Sequence, residues 1–174
     1  MKSLITAAII ICSFTISASA KYNHTSPMMM ETSNQSSLSQ LLTLYYDIKN
    51  ALINGDAATA SAKAGEFSKA VSGIDMKALS ETDMNAFMPL QDKLASDASK
   101  IASSKDIQSQ RENFASLSSN IYTLAKAVKL SDQPVYQAYC PMKKSYWLSS
   151  EATVKNPYYG KMMLTCGKVT DTIQ

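Results

Sequence analysis

Histidine is nearly absent from this chain. One residue in 174, His24, is all there is, and it sits in a polar stretch near the N-terminus. A Ser-His-Asp triad or a Cys-His pair needs an imidazole on a folded element, so those catalytic classes are excluded. Glycine is scarce too, with five residues, and none forms a Gly-rich phosphate loop. No H-E-x-x-H pattern occurs, which removes the metalloprotease reading. The expectation is therefore a protein that is not an enzyme. Charge of one sign is also missing. The formal net charge is +3, with no basic stripe, so nucleic acid is not an expected partner. After residue 16 no apolar run is long enough to span a bilayer, and no transmembrane segment is expected in the mature chain.

The N-terminus reads as an address. Met1-Lys2 is a short positive region, Leu4 to Ile16 is an apolar stretch, and Ala18-Ser19-Ala20 is a cleavage signal. Cleavage near Ala20-Lys21 leaves 174 − 20 = 154 residues with the charge lowered from +3 to +2 by loss of Lys2. Ile11 before Cys12 spoils a lipidation site, so Cys12 leaves with the signal peptide. The product is expected to be periplasmic or secreted, with two of its three cysteines retained. Domain boundaries follow: 1–20 signal peptide, 21–36 flexible leader, and 37–174 a single domain. That domain divides into a helical part, 37–130, and a Cys/Met-containing appendage, 131–174. The leader holds His24 and Met28 to Met30, soft donors whose plainer reading is a linker.

Four stretches carry helical periodicity. Leu38, Leu41, Leu42, Tyr45, Ile48 and Leu52 mark the first, and Asn54-Gly55-Asp56 closes it. Ala57, Ala60, Ala64, Phe67 and Val71 mark the second, which Gly73 stops. Met84, Phe87, Leu90, Leu94, Ala98 and Ile101 mark the third, which starts near Ser80 or Asp83. Pro89 falls inside it, where a kink or a broken first turn is expected. Ile107, Phe114, Leu117, Ile121, Leu124 and Val128 mark the fourth. Short connections favour antiparallel neighbours, so the fold is read as mainly α, an up-and-down four-helix bundle. Glu66 and Asp97, on different helices, read as solvated surface carboxylates. Past Ser131 the character changes. Residues 135–139 and 145–148 are aromatic and strand-like, and 164–169 reads as a third short strand. More than half of the nine tyrosines and the only tryptophan fall in this small C-terminal β/loop appendage.

Two sulfur pairs stand in the appendage: Cys140-Pro141-Met142 and Met163-Leu164-Thr165-Cys166. Thiolate and thioether are the soft donors that select Cu(I). Cys-x-Met on an extended segment places both sulfurs on one face, and Met-x-x-Cys on a helical turn does the same. Cys140, Met142, Met163 and Cys166 are thus a candidate Cu(I) site. The alternatives are a Cys140–Cys166 disulfide, closing a loop of about 27 residues and contributing about 3.5 kcal/mol, or two free thiols. For each methionine, packing against the nearby rings is the simpler role.

The strings Tyr139-Cys140-Pro141-Met142, Tyr146-Trp147-Leu148-Ser149, Asn156-Pro157-Tyr158-Tyr159-Gly160 and Met163-Leu164-Thr165-Cys166-Gly167 resemble one domain of unknown function. Upstream, Tyr46-Asp47-Ile48-Lys49-Asn50-Ala51-Leu52 and Gln110-Arg111-Glu112-Asn113-Phe114 with Leu117-Ser118 resemble its first and last helices. That domain occurs as stand-alone exported proteins and appended to membrane-fusion adaptor subunits of copper/silver efflux pumps. The resemblance implies heavy-metal handling, copper above all, and an efflux adaptor or other envelope protein as partner. Members often carry a histidine where this chain has Asn113, so the resemblance implies weaker metal binding here than in those members. The competing expectation is a disulfide-stapled interaction module that binds no metal and docks on such a partner.

Overall fold

The computed structural model describes residues 37–174. The signal peptide, Cys12, the cleavage site, and the leader with His24 and Met28 to Met30 lie outside the described residues. Helix α1 runs Ser37–Asn54, α2 Ala57–Ser72, α3 Glu81–Ser103 and α4 Ile107–Ala127. Their ends obey local chemistry. Asp56, Ser80 and Asp106 each turn a side-chain oxygen onto a backbone N–H of the first turn that follows. Between α1 and α2, Gly55 takes the left-handed conformation with φ +77°. Helix α3 passes through Pro89 without a break, and its first turn starts intact at Ser80. The expected broken turn does not form, although Pro89, in the third turn, has no N–H to give the Asn85 carbonyl.

α1 packs on α2, α2 on α3 and α3 on α4, while α1 and α4 meet at few points. The appendage closes that fourth side. Strand β1 (Val135–Cys140) is the centre of a three-stranded antiparallel sheet, flanked by β2 (Ser145–Ser149) and β3 (Lys168–Ile173). Tyr158, from the loop after β2, reaches Phe114 of α4 and Trp147 of β2, with ring centroids 6.1 and 6.0 Å away. Phe114 in turn stacks on Tyr45 of α1 at 5.1 Å. The bundle residues Leu41, Tyr45, Phe67, Leu94, Phe114, Leu117 and Ile121 are all fully buried, in one cluster with Cys140, Trp147 and Leu148. The fold is a mainly α four-helix bundle with a small C-terminal β appendage, sharing one core.

Side chains occupy part of each sheet edge. At β2, the Leu148 N–H donates to the Tyr45 hydroxyl (2.9 Å), and the Tyr158 hydroxyl donates to the Tyr146 carbonyl. At β3, the Thr172 N–H donates to its neighbour Asp171 (2.8 Å), and a bulge between Gln137 and Ala138 disturbs the ladder. Unpaired edge groups invite strand addition, and these contacts occupy some of them on each edge.

Two sequence expectations need correction. β3 starts at Lys168 instead of residue 164. Gly167, at φ +147°, passes so close to the Trp147 ring and the Tyr139 carbonyl that a Cβ would meet them at 2.7 and 2.9 Å. That crossing point sets where pairing with β1 begins. Asp97 is buried, not solvated. Its Oδ2 accepts from Ser116 (2.7 Å) and Asn120 (2.8 Å) of α4, so it ties α3 to α4.

Candidate metal centre

The four-residue turn between β1 and β2 starts from Cys140. The Lys144 N–H donates to the Cys140 carbonyl (2.8 Å), and Lys144 adopts a left-handed φ of +55°. Inside this turn the Lys143 N–H points at the Cys140 sulfur (3.4 Å). Met142 is in the turn rather than on the strand, so the alternation that was to bring its sulfur to the Cys140 face does not operate. Its side chain is 62% exposed. Cys166 follows a second turn, closed by its N–H donating to the Met163 carbonyl (3.1 Å). Met163 is half-buried and Met162 is largely exposed.

Asn156 joins the two segments. It is fully buried, and its side-chain NH2 donates to the Cys140 sulfur (3.1 Å) and to the Cys166 carbonyl (2.7 Å). Its Oδ1 accepts from the backbone N–H of Tyr158 (2.8 Å) and Tyr159 (3.4 Å). That is the side-chain-to-backbone turn Asn favours, with Pro157 at the first turn position. Its own N–H donates to the Leu164 carbonyl (2.7 Å). One amide thus fixes the position of Cys140 relative to the turn that carries Cys166.

Cys140 and Cys166 are consequently close, and they are not bridged. Both are free thiols, and their separation of 4.1 Å is twice the S–S bond length of about 2.05 Å. The disulfide expected as one alternative is corrected on this finding. The physical reason is visible at Cys140. Its sulfur is held back by two N–H donors, from Asn156 and Lys143, and closing a bond would require leaving both. At Cys166, desolvation raises the thiol pKa. The neighbouring Cys140 adds to the rise by charge and by hydrogen bonding, and the Met142 backbone N–H opposes it.

Among the described residues no group of three or more His, Cys, Asp or Glu is placed to hold a metal ion. Zinc-type closure with four such ligands is therefore not built from them. The donor set that is present, two sulfurs 4.1 Å apart, does fit one soft ion. Two metal–sulfur bonds of about 2.3 Å span that gap, and Cys and Met are the donors Cu(I) selects. Of the four residues read from the sequence, the structure brings Cys140 and Cys166 together. It leaves Met142 at the rim of the turn, mostly in solvent.

Sequence reasoning missed Asn156 as an organiser and Arg111 as its anchor. Arg111 of α4 is buried, has no carboxylate partner among the described residues, and donates to the Leu52 carbonyl at the end of α1 (2.8 Å). Gly160 lies against it with φ +55°, and the Gly160 N–H returns to the Asn156 carbonyl (3.0 Å). The available signal was the run Asn156-Pro157-Tyr158-Tyr159-Gly160, an Asx turn closed by a left-handed glycine.

No helix among the described residues is long and apolar enough to cross a membrane. No curated protein and no solved structure matches the chain. One family does. Its match covers residues 41–133, more than half of the chain, and stops before the sheet and both cysteines. The chain belongs to the family described as Protein of unknown function (DUF3347).

Proposed function

We propose that this protein is an exported, non-catalytic binder of a soft metal ion, Cu(I), which it holds or hands on in the cell envelope. Cys140 and Cys166 are the two anchoring thiolates, and Met142 and Met163 are weaker thioether supports. The observation that carries the reading is the pair of free sulfurs 4.1 Å apart, with backbone and Asn156 N–H groups directed at them. The thiolate is the form that ligates metal, so binding must displace the proton that burial favours at Cys166. The signal-peptide pattern supports the compartment, and the resemblance to efflux-associated domains supports copper and an efflux adaptor as partner. Bound Cu(I) would contribute only its affinity for sulfur.

A competitive Cu(I) titration of reduced protein tests this. One equivalent is expected to bind and to survive desalting. Cys140→Ser or Cys166→Ser should abolish binding, while Met142→Leu should only weaken it, since that swap conserves volume. If a folded double-serine variant binds as tightly as wild type, the site is elsewhere, with His24 and Met28 to Met30 the next candidates.

A second reading, docking on an envelope partner without metal, draws on one observation. Met142, Tyr146, Met162, Leu164 and Val169 are five of the six large apolar side chains most exposed among the described residues, and all belong to the appendage. Wild-type protein that binds no Cu(I) after full reduction would favour it.

A further inference from the structure

A second cleft lies apart from the cysteines, between α4 and the open side of the sheet, with a volume of about 710 Å³. That is within the range of about 300–1,000 Å³ typical of small-ligand sites. Its origin is in the sequence. Where α4 passes the sheet it presents Ala115 and Ser119, one helical turn apart, and residues this small leave unfilled the space a leucine would occupy.

The chemistry of the walls is specific. Gln137 on the floor is 8% exposed; its side-chain carbonyl accepts from Thr170 (3.3 Å), and its NH2 group meets no acceptor among the described residues. Ser119 adds a hydroxyl, and the hydroxyls of Ser145 and Thr170, which already donate to the Lys143 and Gln137 carbonyls, add acceptor oxygens. The Tyr146 ring is 45% exposed and is backed by Tyr139 at 4.7 Å, which makes it a supported aromatic platform. Asp171 is already matched, by Lys126 (3.2 Å) and by the Tyr122 hydroxyl (2.8 Å). Lys144, by contrast, makes no ion pair among the described residues. Its left-handed backbone, unusual for a residue other than glycine, sets it at the cleft.

From this arrangement we infer that the α4–sheet cleft binds an acidic saccharide, a sugar ring bearing a carboxylate. The C–H face of the ring lies on Tyr146. Its hydroxyls, which both donate and accept, meet the Gln137 NH2 as a donor, the Ser145 and Thr170 oxygens as acceptors, and the Ser119 hydroxyl as either. The carboxylate pairs with Lys144, the uncompensated cation of the cleft. An extended peptide is a poorer fit, because it would pair with a strand edge, and each edge of this sheet already has backbone groups taken by its own side chains. The inference is independent of copper.

Saturation-transfer NMR and calorimetry on the reduced, metal-free full chain test it, with glucuronate and tri-galacturonate as probes and glucose and a short carboxylate-terminated peptide as controls. Saturable binding of the uronates is expected, about tenfold tighter than glucose. Lys144→Gly suits the left-handed turn and should reduce uronate binding to the level of glucose. Ser119→Leu, at an exposed helix position, should fill the cleft and abolish both; circular dichroism confirms that each variant is folded. The inference is overturned if no uronate binds saturably, if folded Ser119→Leu binds as wild type does, if glucose binds as tightly as glucuronate, or if the peptide binds in preference to the sugars.

Discussion

Lys49 is the residue whose environment most contradicts its chemistry. It is 4% exposed, on α1, with its ammonium 3.3 Å from the Ser149 hydroxyl and 5.4 Å from the centre of the Tyr46 ring, and it makes no ion pair among the described residues. Burial lowers its pKa to about 8, with Glu151 pulling the other way. Between about pH 8 and its ordinary value of 10.5, the unfolded chain therefore binds a proton that the folded chain has released. Stability must rise with pH across that window, by about 3 kcal/mol at most. Tyr45, Tyr46 and Tyr158 act in the opposite sense. Burial raises their pKa values, so the unfolded chain loses these protons first and stability falls above about pH 10. Urea midpoints measured from pH 7 to 11 should pass through a maximum near pH 10. Lys49→Met should be more stable than wild type at pH 7 and should lose the rising limb. A flat profile in wild type would show that Lys49 keeps its ordinary pKa. At the centre of the ring stack, Phe114→Ala should cost about 3–5 kcal/mol, and a change below about 1 kcal/mol would contradict its full burial.

At the scale of elements, the four helices were legible because their apolar stripes keep a period of 3.6 residues and their ends carry Asp, Ser and Gly. The appendage was legible only in part. β1 and β2 show in the aromatic run, whereas β3 has mostly exposed side chains, and no alternation marks where it begins. The cysteine pairing was legible as proximity. The absence of a bond between them was not, because the N–H groups that occupy Cys140 come from Lys143 and Asn156, and nothing in their spacing announces it. Asp97, Asn156 and Arg111 were missed for a related reason: a polar residue looks alike in sequence whether it meets water or a buried partner. The loop from Asn156 to Gly160 is therefore where an element-scale test belongs. Gly160 sits at φ +55°, and a Cβ there would lie 2.8 Å from the Ile53 carbonyl and collide with the Arg111 guanidinium. Gly160→Ala should destabilise by about 2 kcal/mol or more. It should also loosen the Asn156 bridge and weaken Cu(I) binding while leaving the helical circular dichroism in place. Unchanged stability and affinity together would mean that the loop is not held by the bundle.

For the whole molecule, the decisive feature is that bundle and appendage have no separate cores. Tyr45 of α1 is bonded at once to Ser118 of α4 (2.8 Å) and to the Leu148 backbone of β2 (2.9 Å). Tyr158 lies between Phe114 and Trp147. Removing the sheet would expose the α1–α4 side and leave Tyr45 and Phe114 without their cover, so neither part can open alone at low cost. Cooperative, two-state unfolding is the consequence. The chain supplies its own two reporters, since its single tryptophan, Trp147, is in the appendage and nearly all helical dichroism arises from the bundle. Urea curves followed by Trp147 fluorescence and by dichroism at about 222 nm, the standard helix band, should coincide in midpoint and slope. Cu(I) bound at Cys140 and Cys166 should then move both curves together, because a ligand of the native state stabilises the whole cooperative unit. Curves that separate, or a copper-induced shift confined to tryptophan fluorescence, would instead make the appendage an independently folding unit and the shared aromatic core a contact of little energetic consequence.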